Sequence, residues 1–143
     1  MNGSYFSVDD YLIQEGRMRL IDAIVDVDQQ GAIARSVTTG KWPLFENGRI
    51  NPIVIVELVA QTAGVCIRWQ EMQKQEVSEN KGGGFIVGVK EAAFFVGSIS
   101  TGATITTCAM KKYVQMNYAE YHGFSKIGGD KLGEVTLQVF RTD

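Results

Sequence analysis

The sequence predicts an α+β domain in which an antiparallel sheet wraps one long central helix. Three observations carry that expectation. Apolar and polar residues alternate over several separate segments, the period of a half-buried strand. A stretch opening at Asn51 reads as a helix whose first turns are apolar nearly all round. That helix stands between an early hairpin and a later run of strands, and a helix apolar on most sides must be covered. At 143 residues the chain has a one-domain length, and it is read as a single domain over 1–143.

In chain order, residues 18–28, "MRLIDAIVDVD", read as the first strand and 32–39, "AIARSVTT", as its partner across a "QQG" turn. Residues 42–50, "WPLFENGRI", read as a loop punctuated by Pro and Gly, with Trp42 and Phe45 as apolar anchors. Then comes "NPIVIVELVAQTAGV". Its β-branched run suits a strand, but length and punctuation favour a helix. Asn51 is a good N-cap and Pro52 suits the first helical position. Helix-compatible residues continue to about Gln75, giving a helix ~36 Å long. Residues 78–84, "SENKGGG", read as a flexible connection. Beyond it, 85–95, 103–118 and 134–141 read as strands of an antiparallel meander, with "IGGDKLG" as a hairpin turn and "GFSKI" pairing across it.

Composition excludes several function classes. Apolar residues make up 45%, enough for a core. Fourteen basic and sixteen acidic residues are well mixed, which leaves no basic footprint for nucleic acid. No membrane span and no signal peptide are expected. Cys66 and Cys108 sit in apolar stretches and read as buried free thiols, consistent with a cytoplasmic protein. His122 is the single histidine, read as a loop or strand-end residue, and no metal-ligand spacing appears, so no metal is expected.

The candidate site lies on the helix. At 100° per residue, Glu57, Gln61, Gly64, Arg68, Glu71 and Gln75 fall near one line. This stripe is either a solvent face or, at its start, a carboxylate at the mouth of an apolar cleft. The apolar neighbours Val54, Leu58 and Ala60 favour the second for Glu57. Gln61, one turn on, is placed to orient it, and Gly64 lets a ligand approach the helix closely. A carboxylate so placed suits general acid or base work.

"ELVAQTAG" on this helix, "YLIQEGRMRLIDAI" before the first strand, "GFIVGVKEAAFFVGSISTGATI" and the closing "EVTLQVFR" occur in an order that resembles the hotdog-fold 3-hydroxyacyl-(acyl-carrier-protein) dehydratases. The resemblance implies a homodimer with acyl-thioester sites at the subunit interface. It implies a substrate carried on the phosphopantetheine of acyl carrier protein or on coenzyme A, with no further cofactor. Glu57 matches the family's helix acid and Gln61 its orienting amide. The carrier arm would lie along the helix and the third strand, near Gly64, Val87 and Gly88.

The chain departs from that pattern in two ways. The loop "GKWPLFENGRIN" is short and holds no histidine; Arg49 sits nearest the family's catalytic His and cannot act as a base. It resembles the loops of divergent members in specialised fatty-acid or polyene pathways. Pro52 replaces a Gly whose N–H can polarise the thioester, leaving the amides of Ile53 or Val54 for that role. Slow or absent dehydration is therefore expected of the chain alone. The rival readings are a hotdog thioesterase using Glu57, and a non-catalytic partner subunit.

Overall fold

The computed structural model describes residues 6–12, 18–74 and 85–142. A four-residue helix, α1 (Val8–Tyr11), precedes the first hairpin. Strands β1 (Ala23–Val27) and β2 (Gly31–Val37) pair antiparallel. Asp28 shapes their turn: its Oδ1 accepts the N–H of Gln30 at 2.8 Å and of Gly31 at 3.1 Å. Gly31 is needed there, because a Cβ would collide with the Ala109 carbonyl oxygen of the neighbouring strand. The first strand is shorter than its sequence suggests. Residues 18–22 carry the apolar alternation yet form no strand. The N–H of Leu20 and the C=O of Met18 are bound by a helix side chain instead of a neighbouring strand.

The segment expected as loop contains a small hairpin. Strands β3 (Phe45–Glu46) and β4 (Arg49–Ile50) flank Asn47 and Gly48, whose φ angles are 55° and 80°. Two successive left-handed residues make the tight turn that Asn-Gly favours. β4 also pairs with β6 (Ile99–Ser100), forming a second, three-stranded sheet. Asn51 does cap, but one turn early. Its Oδ1 accepts the Ile53 N–H at 2.9 Å, and the N–H groups of Val54, Ile55 and Val56 reach back three residues to the carbonyls of Asn51, Pro52 and Ile53. The α-helix proper, α2, is therefore Val54–Gln73, 20 residues. Gln75 and the connection 78–84 lie outside the described residues. Among those described, no helix is long and apolar enough to cross a membrane.

The main sheet holds β1, β2, β5 (Phe85–Phe94), β7 (Thr104–Gln115), β8 (Tyr118–Ile127) and β9 (Asp130–Arg141) in the order β1-β2-β7-β8-β9-β5. All neighbours are antiparallel. The meander expected after the helix covers only β7–β9; β5 pairs beyond β9 and forms one edge. The stretch 103–118, expected as one strand, breaks at Met116, with φ of 56°, and Asn117. Strand alternation then places His122 in the interior of β8 on the face away from α2, since Gly123 beside it contacts the helix. The same alternation turns Cys108 outward between buried Thr107 and Ala109, so it is half-exposed, whereas Cys66 is buried. Burial raises both thiols above the ordinary value.

α2 crosses β7, β8, β2 and β9 and barely touches β5. Ile55, Leu58, Val59 and Val65 are buried at that contact. Two glycines let the helix sit close. A Cβ at Gly123 would stand 2.6 Å from Val59 Cγ1, and one at Gly133 would stand 3.0 Å from Ile55 Cδ1. Ile55 and Val59 are one turn apart, so a single helix ridge enters both hollows. β5 is left uncovered: Phe85, Val87 and Val89 are 41, 49 and 50% exposed. Val87 and Val89 pair with the buried Val139 and Leu137 and so share the helix side, whereas Gly88, paired with Gln138, faces the other way.

Gly123→Ala should destabilise the fold by about 1–3 kcal/mol, because the Cys108 carbonyl oxygen also lies 2.6 Å from the added methyl; urea unfolding measures it. A thiol reagent at pH 8 should modify Cys108 well before Cys66, and mass spectrometry after partial labelling reads the order.

Candidate functional site

The buried amide of Gln61 organises the first two turns of α2. Its Oε1 accepts the Leu20 N–H at 3.0 Å. Its Nε2 donates to the Met18 carbonyl at 2.6 Å and to Glu57 Oε2 at 2.9 Å. Because the carbonyl side of the amide is held by a backbone N–H, the NH2 side must face the acid. Glu57 is half-buried in the first turn of α2, where the positive end of the helix dipole favours its charge. Val54 is buried beneath it and Val56 and Ala60 are half-buried. Among the described residues, no atom outside the helix's own backbone stands within 4 Å of where a Cβ of Gly64 would lie, so the helix surface there is open to them.

The other expected positions are more dispersed. Arg49 is on the β3–β4 hairpin, where its Nε donates to Ser98 Oγ at 2.6 Å; it makes no ion pair with Glu57. Val87 and Gly88 are on the edge strand β5. Ile53 is exposed, and its N–H is held by Asn51 Oδ1, while the Val54 N–H is held by the Asn51 carbonyl. Neither amide is free to polarise a carbonyl without giving up its present bond. The tight turn before the helix is the cause, and sequence gave no sign of it. Trp42 is buried as an anchor; Phe45 is exposed and lies 3.6 Å from the Cβ position of Gly40.

His122 takes no part in this constellation. Its Nδ1 lies 3.0 Å from Thr136 Oγ1, and its Nε2 is 3.7 Å from Glu134 Oε1 on the outer face of the sheet. The hydrogen bond from Lys131 holds the Glu134 carboxyl below the usual range. The site thus has one proton-transfer group and no histidine.

A cleft of about 190 Å³ lies at the opposite end of α2, between its last turns, the start of β5, the β7–β8 turn and the end of β9. Its lining comes from four distant stretches, so no local motif pointed to it. Among the described residues no cluster of metal-ligating side chains is present.

A curled antiparallel sheet around one buried helix, with an acid held by an amide one turn on, defines a hotdog-fold protein. A family model described as ApeP dehydratase, of the ApeP-like group, matches residues 6–143. The chain belongs to the ApeP-like dehydratase family. Among solved structures it is similar to the dehydratase heterocomplex ApeI:P from Xenorhabdus doucetiae, at 18% identity and a TM-score of 0.83, covering 98% of this chain and 93% of that one. It is also similar to Cj0977, a virulence protein from Campylobacter jejuni, at 17% identity and a TM-score of 0.65, covering 94% and 85%. A mutant of the fluoroacetyl-CoA-specific thioesterase FlK matches at 15% identity and a TM-score of 0.56, covering 82% and 90%. At such identities these likenesses show the fold. No curated protein sequence matches the chain.

Gln61→Leu should cost about 1–3 kcal/mol, since it strands the buried Leu20 N–H. Glu57→Gln should change stability by less than about 1 kcal/mol. Thermal unfolding of the two variants side by side checks the contrast.

Proposed function

We propose that the chain is one subunit of a hotdog dehydratase acting on 3-hydroxyacyl thioesters, with Glu57 as its proton-transfer group and Gln61 as the residue that aims it. The observation that carries this reading is the Gln61–Glu57 hydrogen bond at 2.9 Å on a helix face left open at Gly64. The substrate's acyl group would arrive on phosphopantetheine, from acyl carrier protein or coenzyme A, along the surface between α2 and β5.

Dehydration removes a proton from C2 and delivers one to the departing 3-hydroxyl. Two positioned groups serve it better than one. Glu57 is one; the single histidine of the chain, His122, is on the wrong face. A second copy of the chain brings the same residues and no new base. A different hotdog subunit, pairing along the uncovered edge of β5 and carrying a histidine in its pre-helix loop, supplies the missing group. The fold likeness to the ApeI:P dehydratase heterocomplex supports a mixed pair over a homodimer. Such a pair would work in the cytoplasm, where carrier-bound acyl groups are made.

A thioesterase reading rests on the same acid. Glu57 alone can activate a water, and the FlK thioesterase shares the fold. Products separate the two readings. Incubation of a 3-hydroxyacyl thioester with the chain alone, and with the chain co-purified with a histidine-bearing hotdog subunit, should give enoyl absorbance only in the second case. Glu57→Gln should lower that rate by about 10²–10⁴. Free thiol released by the lone chain, and lost in the same variant, would replace the dehydratase reading with the thioesterase one.

A further inference from the structure

We propose that the cleft at the C-terminal end of α2 is a second ligand site, taking a small amphipathic anion with a carboxylate or phosphate head and an apolar body of about eight carbons. The inference rests on the lining of the cleft and is independent of the function assigned to Glu57. Glu71, which borders the cleft, lies about 21 Å along the helix axis from Glu57.

The charges at the cleft are unbalanced. Lys74, Lys111 and Arg141 face one carboxylate, Glu71. That acid is already shared: Arg141 reaches its Oε2 at 3.2 Å and Arg68 its Oε1 at 3.6 Å. Neither Lys74 nor Lys111 has a side-chain hydrogen bond or ion pair among the described residues. Among the described residues, two ammonium groups therefore border a concave surface with no carboxylate paired to them, on a chain whose net charge is −2.

The rest of the lining is apolar or neutral. Ile67, Phe85, Val114 and Val139 form its walls. The Arg141 guanidinium stands 5.6 Å from the centre of the Phe85 ring, which fixes that corner. Gln70, Asn117 and Tyr121 supply neutral hydrogen-bonding groups. Gln70 Nε2 is engaged with the Gln29 carbonyl and Cys66 Sγ, so its amide is rigid. A volume of about 190 Å³ is about six times the share of a water molecule in the liquid, a little more than a cavity that takes benzene. That matches a short alkyl chain and its head, and is too small for a nucleotide.

The test titrates sodium octanoate, octyl phosphate and 1-octanol into the ¹⁵N-labelled full chain. Octanoate or octyl phosphate should shift the amides of Gln70, Ala119, Tyr121 and Val139 and leave those of Glu57 and Ala60 in place. The tighter of the two identifies the head group. Lys111→Gln and Lys74→Gln should each weaken binding about two- to fivefold while the unligated spectrum stays superimposable. Lys74 is exposed at the helix end, so its variant keeps the test alive if Lys111→Gln disturbs the sheet. Equal affinity for 1-octanol, unchanged affinity in both lysine variants, or shifts confined to the Glu57 end would each overturn the proposal.

Discussion

One buried amide sets the terms for much of this molecule. Gln61 is 1% exposed and spends both ends of its side chain. A primary amide in the core must place its acceptor against a donor and its donors against acceptors, because an unpaired one costs about 1–3 kcal/mol. The only arrangement that does so here ties residues 18–20 to α2 and points an N–H at Glu57. The chain's approach to its first strand, the seat of the helix and the orientation of the acid are thus parts of one hydrogen-bond network. A change at Glu57 leaves that network's backbone contacts intact; a change at Gln61 removes all of them.

The fold class was legible because the helix announces itself. An Asn-Pro start followed by apolar residues on nearly every side can only be buried, and an antiparallel sheet is what the alternating segments offer. The acid–amide pair was legible too, since a spacing of four residues puts two side chains in contact on any helix. Placement of partners was not. Residues 18–22 alternate as a strand does, and only the tertiary position of Gln61 shows why they are not one. β5 could pair with β7 or β9 on pattern alone; the sheet order is set by which edge remains after β2 takes β7. His122 falls inside a strand, and not at a strand end, because the chain turns at Met116 and Asn117, within a stretch whose residues suit a continuous strand. The Asn47–Gly48 turn, by contrast, is signalled by its two residues, since Asn-Gly favours the left-handed pair of a tight hairpin.

The two ends of α2 differ in character. At its start a carboxylate is held by a neutral amide, with open helix surface one and two turns further on. At its end cations outnumber acids around a concave surface. Ile55 and Val59, in the first two turns, lie over Gly133 and Gly123, where any added methyl would collide, so the start of the helix sits close against the sheet.

The irregularity of β5 has a consequence for selectivity. The strand shifts register between Val89 and Glu91, and Lys90 at that point is drawn to Glu120 at 3.0 Å. A flat edge with exposed valines would accept any extended chain at any offset. A bulge interrupts the row of free N–H and C=O groups and changes which side chains face each way beyond it. A strand added to this edge without a matching interruption would satisfy one half of it and miss the other. Were a foreign strand to add to this edge, the bulge would act as a notch in a key, fixing the offset at which that strand could pair along the whole of β5.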